Sequence, residues 1–479
     1  MPETSLKRKT IKGVLWNSIE KFLVKGASFI ISIILARILS PSDYGLIGML
    51  TVFIALSNVF IESGLVKALI QKQDRTDTDL STAFYTNVAI ALILYFILFF
   101  TAPYIAAYFN EQKLKEILRI LSLNLIIGSL NIVQRAVLMV KMDFKSLAFI
   151  NFSGTMVGGG VGIAMAYTGC GVWALVGQSI ASTLTMFIIF PIYSKWTPRI
   201  KFSVQSFKHL FAFGSKLLIS GTVATVVNNI STVAIGKNYT TSQLGFYTRA
   251  SQFSEMIAFT VNDILGGVTF PVLSELQNDR ARITFVYKKS LYYTALVIFP
   301  VMILMALLAK PLVEILLTEK WLPCVVLLQI LCISRMLVPL SSINMNLLNA
   351  VGRSDLFLKI DLSKVPIILI FLAITVPISV KAICIGTLIT NIICFFINTY
   401  YPKKLFGYGA WEQVKDYAKL VLPISLMCAT VCISNHLFDN SWGQLLVGAF
   451  SGSVVYVVSC FIFRAVSQEE IKAIFAIRN

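Results

Sequence analysis

The sequence predicts an all-α polytopic membrane protein of about fourteen transmembrane helices, with two pseudo-symmetric six-helix lobes around a central cavity and a C-terminal helix pair. Two observations predict the class. Of 479 residues, 57% are apolar and only 13% are charged, whereas soluble domains carry about 25% charged residues and break their apolar residues into short stripes. The apolar residues also arrive in runs of roughly 20, enough to cross about 30 Å of hydrocarbon. Repetition at a shift of about 200 residues predicts the two lobes.

In chain order the first six spans fall near 14–38, 45–66, 81–107, 115–138, 146–168 and 171–193. A polar, basic stretch over 194–209 follows. Six more spans fall near 210–235, 244–272, 286–309, 322–350, 356–376 and 380–400, and a second polar linker, Tyr401 to Tyr417, precedes a last pair near 418–434 and 442–463. The domain plan is thus an N-lobe over 1–193, a cytoplasmic linker over 194–209, a C-lobe over 210–400, and a region over 401–479 holding a cytoplasmic linker, the helix pair and a cytoplasmic tail. Lys7, Arg8, Lys9 and Lys12 form a basic cytoplasmic anchor ahead of a first span that is retained, because no small-residue cleavage site follows them.

The repeat aligns Arg37 with Lys237, Gly45 with Gly245, Phe53 with Phe253 and Leu65 with Leu265. Near a shift of 210, Leu118-Arg119-Ile120-Leu121 falls on Leu328-Gln329-Ile330-Leu331. Six is even, so both copies enter the membrane in the same sense and are related by an axis along its normal.

A net charge of +18 would suit a nucleic-acid binder, but its distribution does not. With a cytoplasmic N-terminus, roughly 26 Lys and Arg fall in cytoplasmic segments, roughly 7 outside and about 8 within spans, which is the positive-inside pattern. No nucleic-acid partner is expected. The eight cysteines lack CxxC spacing and read as small hydrophobes; Cys428 and Cys432 lie four apart, and His209 and His436 are the only histidines in the chain. No metal or other cofactor is expected. No GxSxG, Walker A, HExxH or kinase signature is present, so neither an enzyme nor an ATP-driven pump is expected.

A charge at mid-bilayer costs about 2.5–3.5 kcal/mol, so an ionisable residue within a span faces protein or water. Lys21, Lys25, Ser28 and Ser32 form a polar stripe on the first span, with Lys25 near the midplane. The eighth span carries Arg249, Glu255 and Asp263, the fourth Arg135 and the tenth Arg335. The candidate cationic cavity is therefore Lys25, Arg249, Arg335, Arg135 and Lys21. Glu62, Glu255 and Asp263 are read either as ion-coupling groups for H+ or Na+ or as helix-pairing partners; Lys21 with Glu20 or Glu62, and Arg249 with Glu255, would be such pairs. Unpaired cations in a wet cavity suit an anionic, phosphate-bearing cargo.

The stretches Lys12-Gly13-Val14-Leu15-Trp16-Asn17, Leu35-Ala36-Arg37-Ile38-Leu39-Ser40-Pro41-Ser42-Asp43-Tyr44-Gly45, Glu62-Ser63-Gly64-Leu65 and Ala68-Leu69-Ile70-Gln71 resemble the Wzx-type polysaccharide flippases of the multidrug/oligosaccharidyl-lipid/polysaccharide exporter superfamily. The likeness continues more diffusely through Leu244-Gly245-Phe246-Tyr247 and Phe270-Pro271-Val272-Leu273-Ser274. It implies a V-shaped pair of six-helix lobes moving undecaprenyl-diphosphate-linked oligosaccharide between leaflets of the bacterial inner membrane by alternating access. It also implies cations on the first and eighth helices, at places comparable to Lys25 and Arg249; the second helix departs from the pattern by carrying Glu62. Membrane lipid and a lipid-linked oligosaccharide are the partners implied. A cation-coupled multidrug antiporter, a membrane polymerase and a structural scaffold are the alternatives. The extra helix pair, the short outer loops and the midplane charges respectively count against them.

Overall fold

The computed structural model describes residues 16, 23–62, 68–70, 72 and 74–465, apart from the side chains of 209, 213, 216, 217 and 263–268. Every regular element among these residues is a helix. The first, α1, covers residues 23–38. The second, α2 (Pro41–Glu62), begins several residues before the expected 45 because Ser40 and Asp43 cap it reciprocally. The Ser40 N–H donates to Asp43 Oδ2 at 2.9 Å, and the Asp43 N–H donates back to Ser40 Oγ at 3.3 Å. Pro41 takes the first helical position, where a missing N–H costs nothing. The same logic starts α3 (Asp77–Phe109) at 77 rather than 81, since Thr76 and Asp79 form a capping box. Its 33 residues span about 50 Å at 1.5 Å per residue, more than the hydrocarbon needs.

The expected fourth span is split into α4 (Lys113–Leu121) and α5 (Leu123–Val140). At the break, the Ser122 hydroxyl donates back to the Arg119 carbonyl at 3.1 Å, a back-bond that bends helices. A hairpin follows, α6 (Phe144–Tyr167) and α7 (Val172–Ser194). Gly154, Gly158 and Gly162 let these two backbones close: a Cβ at Gly158 would sit 2.6 Å from the Gln178 carbonyl oxygen. Gly154, Gly158 and Gly162 thus serve close packing, in a helix that runs unbroken through Gly159 and Gly160.

The stretch read as a cytoplasmic linker is helical from residue 204. Ser203 caps α8 (Val204–Asn238) by accepting from the Ser206 N–H. The residues ahead of it are sewn onto α3, with the Arg199 N–H donating to Ser81 Oγ and the Ser203 N–H donating to Thr82 Oγ1, each at 3.0 Å.

Contacts divide the chain into units 1–245 and 246–479, so the boundary falls inside α9 (Thr241–Glu275). The first unit therefore takes in α8 and the first turn of α9, beyond the expected N-lobe limit at 193. The second unit continues with α10 (Arg280–Leu307), α11 (Ala309–Leu317), α12 (Cys324–Arg335), α13 (Val338–Ala350), α14 (Ser354–Thr375), α15 (Val380–Asn398), α16 (Tyr400–Phe406), α17 (Ala410–Tyr417), α18 (Val421–Leu437) and α19 (Ser441–Ile462). The expected tenth span is thus interrupted, like the fourth, and here Pro339 lies in the first turn after the break. The second polar linker is largely helical, as α16 and α17.

The core of this unit joins Leu291, Leu340, Leu347, Tyr417, Met427 and Tyr456, so α18 and α19 are built onto α10 and α13. A buried polar network reinforces it: Tyr287 donates to Asn344 Oδ1, and Gln413 Nε2 donates to Asn344 Oδ1 at 2.9 Å and to the Tyr287 hydroxyl at 3.1 Å. Gln413 thereby fastens α17 to the membrane helices, because a buried amide gains most where all its partners are present. The cysteines are free, and five of them, Cys324, Cys332, Cys384, Cys394 and Cys460, are buried among apolar side chains.

Among the described residues, eleven helical segments are long and apolar enough to cross a membrane. The other three expected spans are α1, α9 and α14. The described part of α1 is short, and α14 carries Asp355, Lys359, Asp361 and Lys364 in its first three turns.

Candidate functional site

In the first unit, Lys25 and Ser28 are exposed on α1, while Ile31 and Leu35 of the same helix are buried against Ala166 and Ala174. Glu62 is exposed at the end of α2 and Arg135 is exposed on α5. The other polar residues of α5 point the opposite way. Asn131 and Gln134 are buried, and Asn124 Nδ2 donates to Ser179 Oγ of α7 at 3.0 Å. The Asn124 amide ties α5 to α7, while Arg135 projects outward from the same helix. Lys21 lies outside the described residues.

The second unit brings two of the expected site residues together. Arg335 of α12 grips α9 with both terminal nitrogens: Nη1 donates to the Ser251 carbonyl at 2.5 Å and to Ser254 Oγ, and Nη2 donates to Ser251 Oγ and to Glu255 Oε1, each at 2.6 Å. A planar guanidinium can serve so many acceptors at once, where an ammonium could not. Ser251 in turn donates to Glu255 Oε1 at 3.0 Å. Ser251, Ser254 and Glu255 share one face of α9 because they lie three and four residues apart. On its far side, α12 is held by Asn391 of α15, whose Nδ2 donates to Ser334 Oγ at 2.8 Å.

Arg249, one turn earlier on α9, is 2% exposed. Its Nη1 donates to Gln252 Oε1 at 2.7 Å, and its guanidinium lies 5.7 Å from the Trp321 ring centroid. Trp321 is fully buried and packs edge-on to Phe246. Glu255 forms an ion pair at 2.6 Å with Arg335, a pairing the sequence reading did not name. The side chain of Asp263 is outside the described residues. Trp321 and the two serines were not anticipated; Ser251 carried a signal, since it lies one helical turn before Glu255.

The first unit also contains a close helix crossing. The first turns of α2 and α9 cross with their backbones in contact. A Cβ built on Gly45 would lie 1.8 Å from the Thr241 carbonyl oxygen, and one on Gly245 would lie 1.9 Å from the Pro41 carbonyl oxygen. The crossing is reciprocal, and its two halves are related by the repeat register that aligned Gly45 with Gly245. Beside it α8 packs less tightly and against side chains, since a Cβ on Gly236 would meet Met49 at 3.0 Å and Phe109 at 3.1 Å.

A polysaccharide biosynthesis protein family model matches residues 34–326, more than half of the 479-residue chain. The chain belongs to this family. Its matched region contains α2 to α11, and with them both glycines of the crossing, Arg249 and Trp321. The chain is 23% identical over 448 residues to the lipopolysaccharide biosynthesis protein WzxC of Escherichia coli strain K12, covering 92% of this chain and 90% of that one. It is 26% identical over 354 residues to the teichuronic acid biosynthesis protein TuaB of Bacillus subtilis strain 168, covering 74% and 73%. The fold is shared with the lipid II flippase MurJ in an inward closed conformation, with a TM-score of 0.75 at 17% identity over 94% of this chain and 99% of that one. It is shared less closely with an inward-facing multidrug resistance MATE transporter, at a TM-score of 0.61 and 15% identity over 82% and 98%. The polysaccharide biosynthesis family that the resemblance implied and the all-α fold of a multi-pass membrane protein are therefore both met.

Proposed function

We propose that this chain is a flippase that carries undecaprenyl-diphosphate-linked oligosaccharide from the cytoplasmic to the periplasmic leaflet of the bacterial inner membrane by alternating access, with both termini in the cytoplasm. The observation that carries this reading is the polysaccharide biosynthesis family match over 34–326. A relative in lipopolysaccharide biosynthesis matched along nine-tenths of both chains supports it. The MATE-like fold alone would also suit a drug antiporter, but family membership favours the sugar-lipid cargo.

In this mechanism the diphosphate is recognised by charge-assisted hydrogen bonds. Lys25, exposed on α1, makes the early contact. Arg249 is buried against Trp321 and bound to Gln252, so it joins the cargo in a different conformation from this one; a contact made in only one state is what biases a conformational equilibrium. Arg135 and Lys21 add positive potential. Arg335 acts through Glu255, holding α9 in register, and Glu62 and Asp263 are the carboxylates left for an H+ or Na+ coupling role. The membrane potential supplies about 2.3 kcal/mol per charge per 100 mV as a further bias.

The test is made in the cell whose surface polysaccharide depends on the chain. On depletion, lipid-linked oligosaccharide should accumulate inaccessible to a periplasmic ligase, with dye resistance unchanged. Accumulation of dye with normal polysaccharide export would support the antiporter instead.

A further inference from the structure

On the second unit, α14 and α15 part at one end of the bundle and leave a groove of about 390 Å³ that is closed off by the start of α16. Ile360, Ile393, Phe396 and Ile397 make its walls apolar, Tyr400 and Tyr401 stand at its mouth, and Lys359 reaches in from the rim. Lys359 lies five residues into α14, about 7.5 Å from the helix start, and Ser363 lies about 6 Å further along; with the start of α14 at the membrane surface, such a groove would run from headgroup depth into one leaflet. Tyrosines at that level are the usual aromatic belt of the interface.

The charges at the mouth are unequal in kind. The Lys364 ammonium is bound to Asp361 at 2.8 Å and the Arg353 guanidinium to Asp355 at 2.9 Å. Lys359 is exposed and, among the described residues, has no ion-pair partner; Lys403 and Lys404 of the adjoining α16 are also exposed. Apolar walls with an uncompensated basic rim complement a molecule that is a hydrocarbon chain ending in a phosphate. The Ser363 hydroxyl does not spoil the apolar wall, because it is turned back onto the Ile360 carbonyl at 2.7 Å.

We infer that this groove is a binding site for an anionic glycerophospholipid, with one acyl chain between α14 and α15 and the phosphate on Lys359. The occupant is a resident lipid of the bilayer and the site is separate from the cargo residues Lys25 and Arg249. By wedging between α14 and α15 and binding the α16 rim, the lipid braces this edge of the second unit.

The test is native mass spectrometry of the full-length chain released from nanodiscs containing phosphatidylglycerol and phosphatidylcholine of matched chains, with undecaprenyl phosphate as a third component. Wild type should retain phosphatidylglycerol over phosphatidylcholine by about fivefold, the value of one basic contact at a membrane surface. Lys359→Glu should abolish the preference between headgroups, Ser363→Trp should fill the groove and lower retention of both phospholipids, and Lys381→Glu, an exposed lysine at the opposite end of α15, should change neither. Equal retention of the two phospholipids by wild type, retention unaffected by both groove variants, or displacement of phosphatidylglycerol by undecaprenyl phosphate would each overturn the assignment. Thermal melting of every variant separates loss of the lipid from loss of the fold.

Discussion

Replacing Gly45 by alanine puts one methyl group into the α2–α9 crossing. The added Cβ would lie 1.8 Å from the Thr241 carbonyl oxygen, and ordinary contact needs about 3.4 Å, so the two helices must part by about 1.5 Å. No rotamer change can relieve this, because the opposing atom is backbone and Gly45 is held by the turn that Ser40 and Asp43 cap. Overpacking of this kind costs about 3 kcal/mol, the upper part of its usual range. Gly245→Ala should cost the same, because its clash with the Pro41 carbonyl oxygen is nearly identical at 1.9 Å. The double variant should cost much less than the sum, since a crossing already parted for one methyl has room for the other. Gly128→Ala and Gly160→Ala are the controls: a Cβ there meets nothing within 4 Å, and each should gain a few tenths of a kcal/mol or more from helix propensity. Thermal unfolding in nanodiscs, followed by tryptophan fluorescence, measures all five. Gly45→Ala as stable as Gly160→Ala, or a double variant whose loss equals the sum, would refute a reciprocal backbone contact.

Two further outcomes follow from the polar contacts. Arg335→Ala leaves Ser251, Ser254 and Glu255 without their guanidinium; because the Glu255 side chain is 43% exposed and can rehydrate, the loss in unfolding stability should be about 2 kcal/mol rather than the 3–5 of a fully buried pair, with Arg335→Lys recovering less than half. Asn87 of α3 is fully buried and, among the described residues, neither polar atom of its amide has a hydrogen-bond partner; Asn87→Leu should therefore raise the melting midpoint, by about 1 kcal/mol in stability, and a fall would show that the amide is satisfied.

Much of the fold was legible because the signals were local. The span ends of α2 and α3 moved by four residues only where a cap, Ser40 with Asp43 or Thr76 with Asp79, extended the helix past its apolar run. The polar linkers carry no apolar run that marks a span, yet Ser203 starts one helix and the buried Gln413 anchors another. The candidate charges were legible as exceptions to hydropathy, but their partners were not. Glu255 lies six residues from Arg249 and 80 from Arg335; a sequence suggests the near cation, while packing of α12 on α9 selects the far one. The repeat was visible in the alignment of Gly45 with Gly245, yet its physical content, a mutual backbone contact, required the crossing itself.

The most direct measurement is leaflet exchange of an undecaprenyl-diphosphate-linked oligosaccharide in liposomes containing the purified chain, comparing wild type with Lys25→Ala and Arg249→Ala. Wild type should support exchange and each variant should lose at least about tenfold, the scale of one charge-assisted contact to phosphate, with both variants melting as folded proteins. Exchange that persists in both variants would contradict the cationic recognition of the diphosphate, and no exchange by folded wild type, accompanied by efflux of a cationic dye, would contradict the flippase assignment.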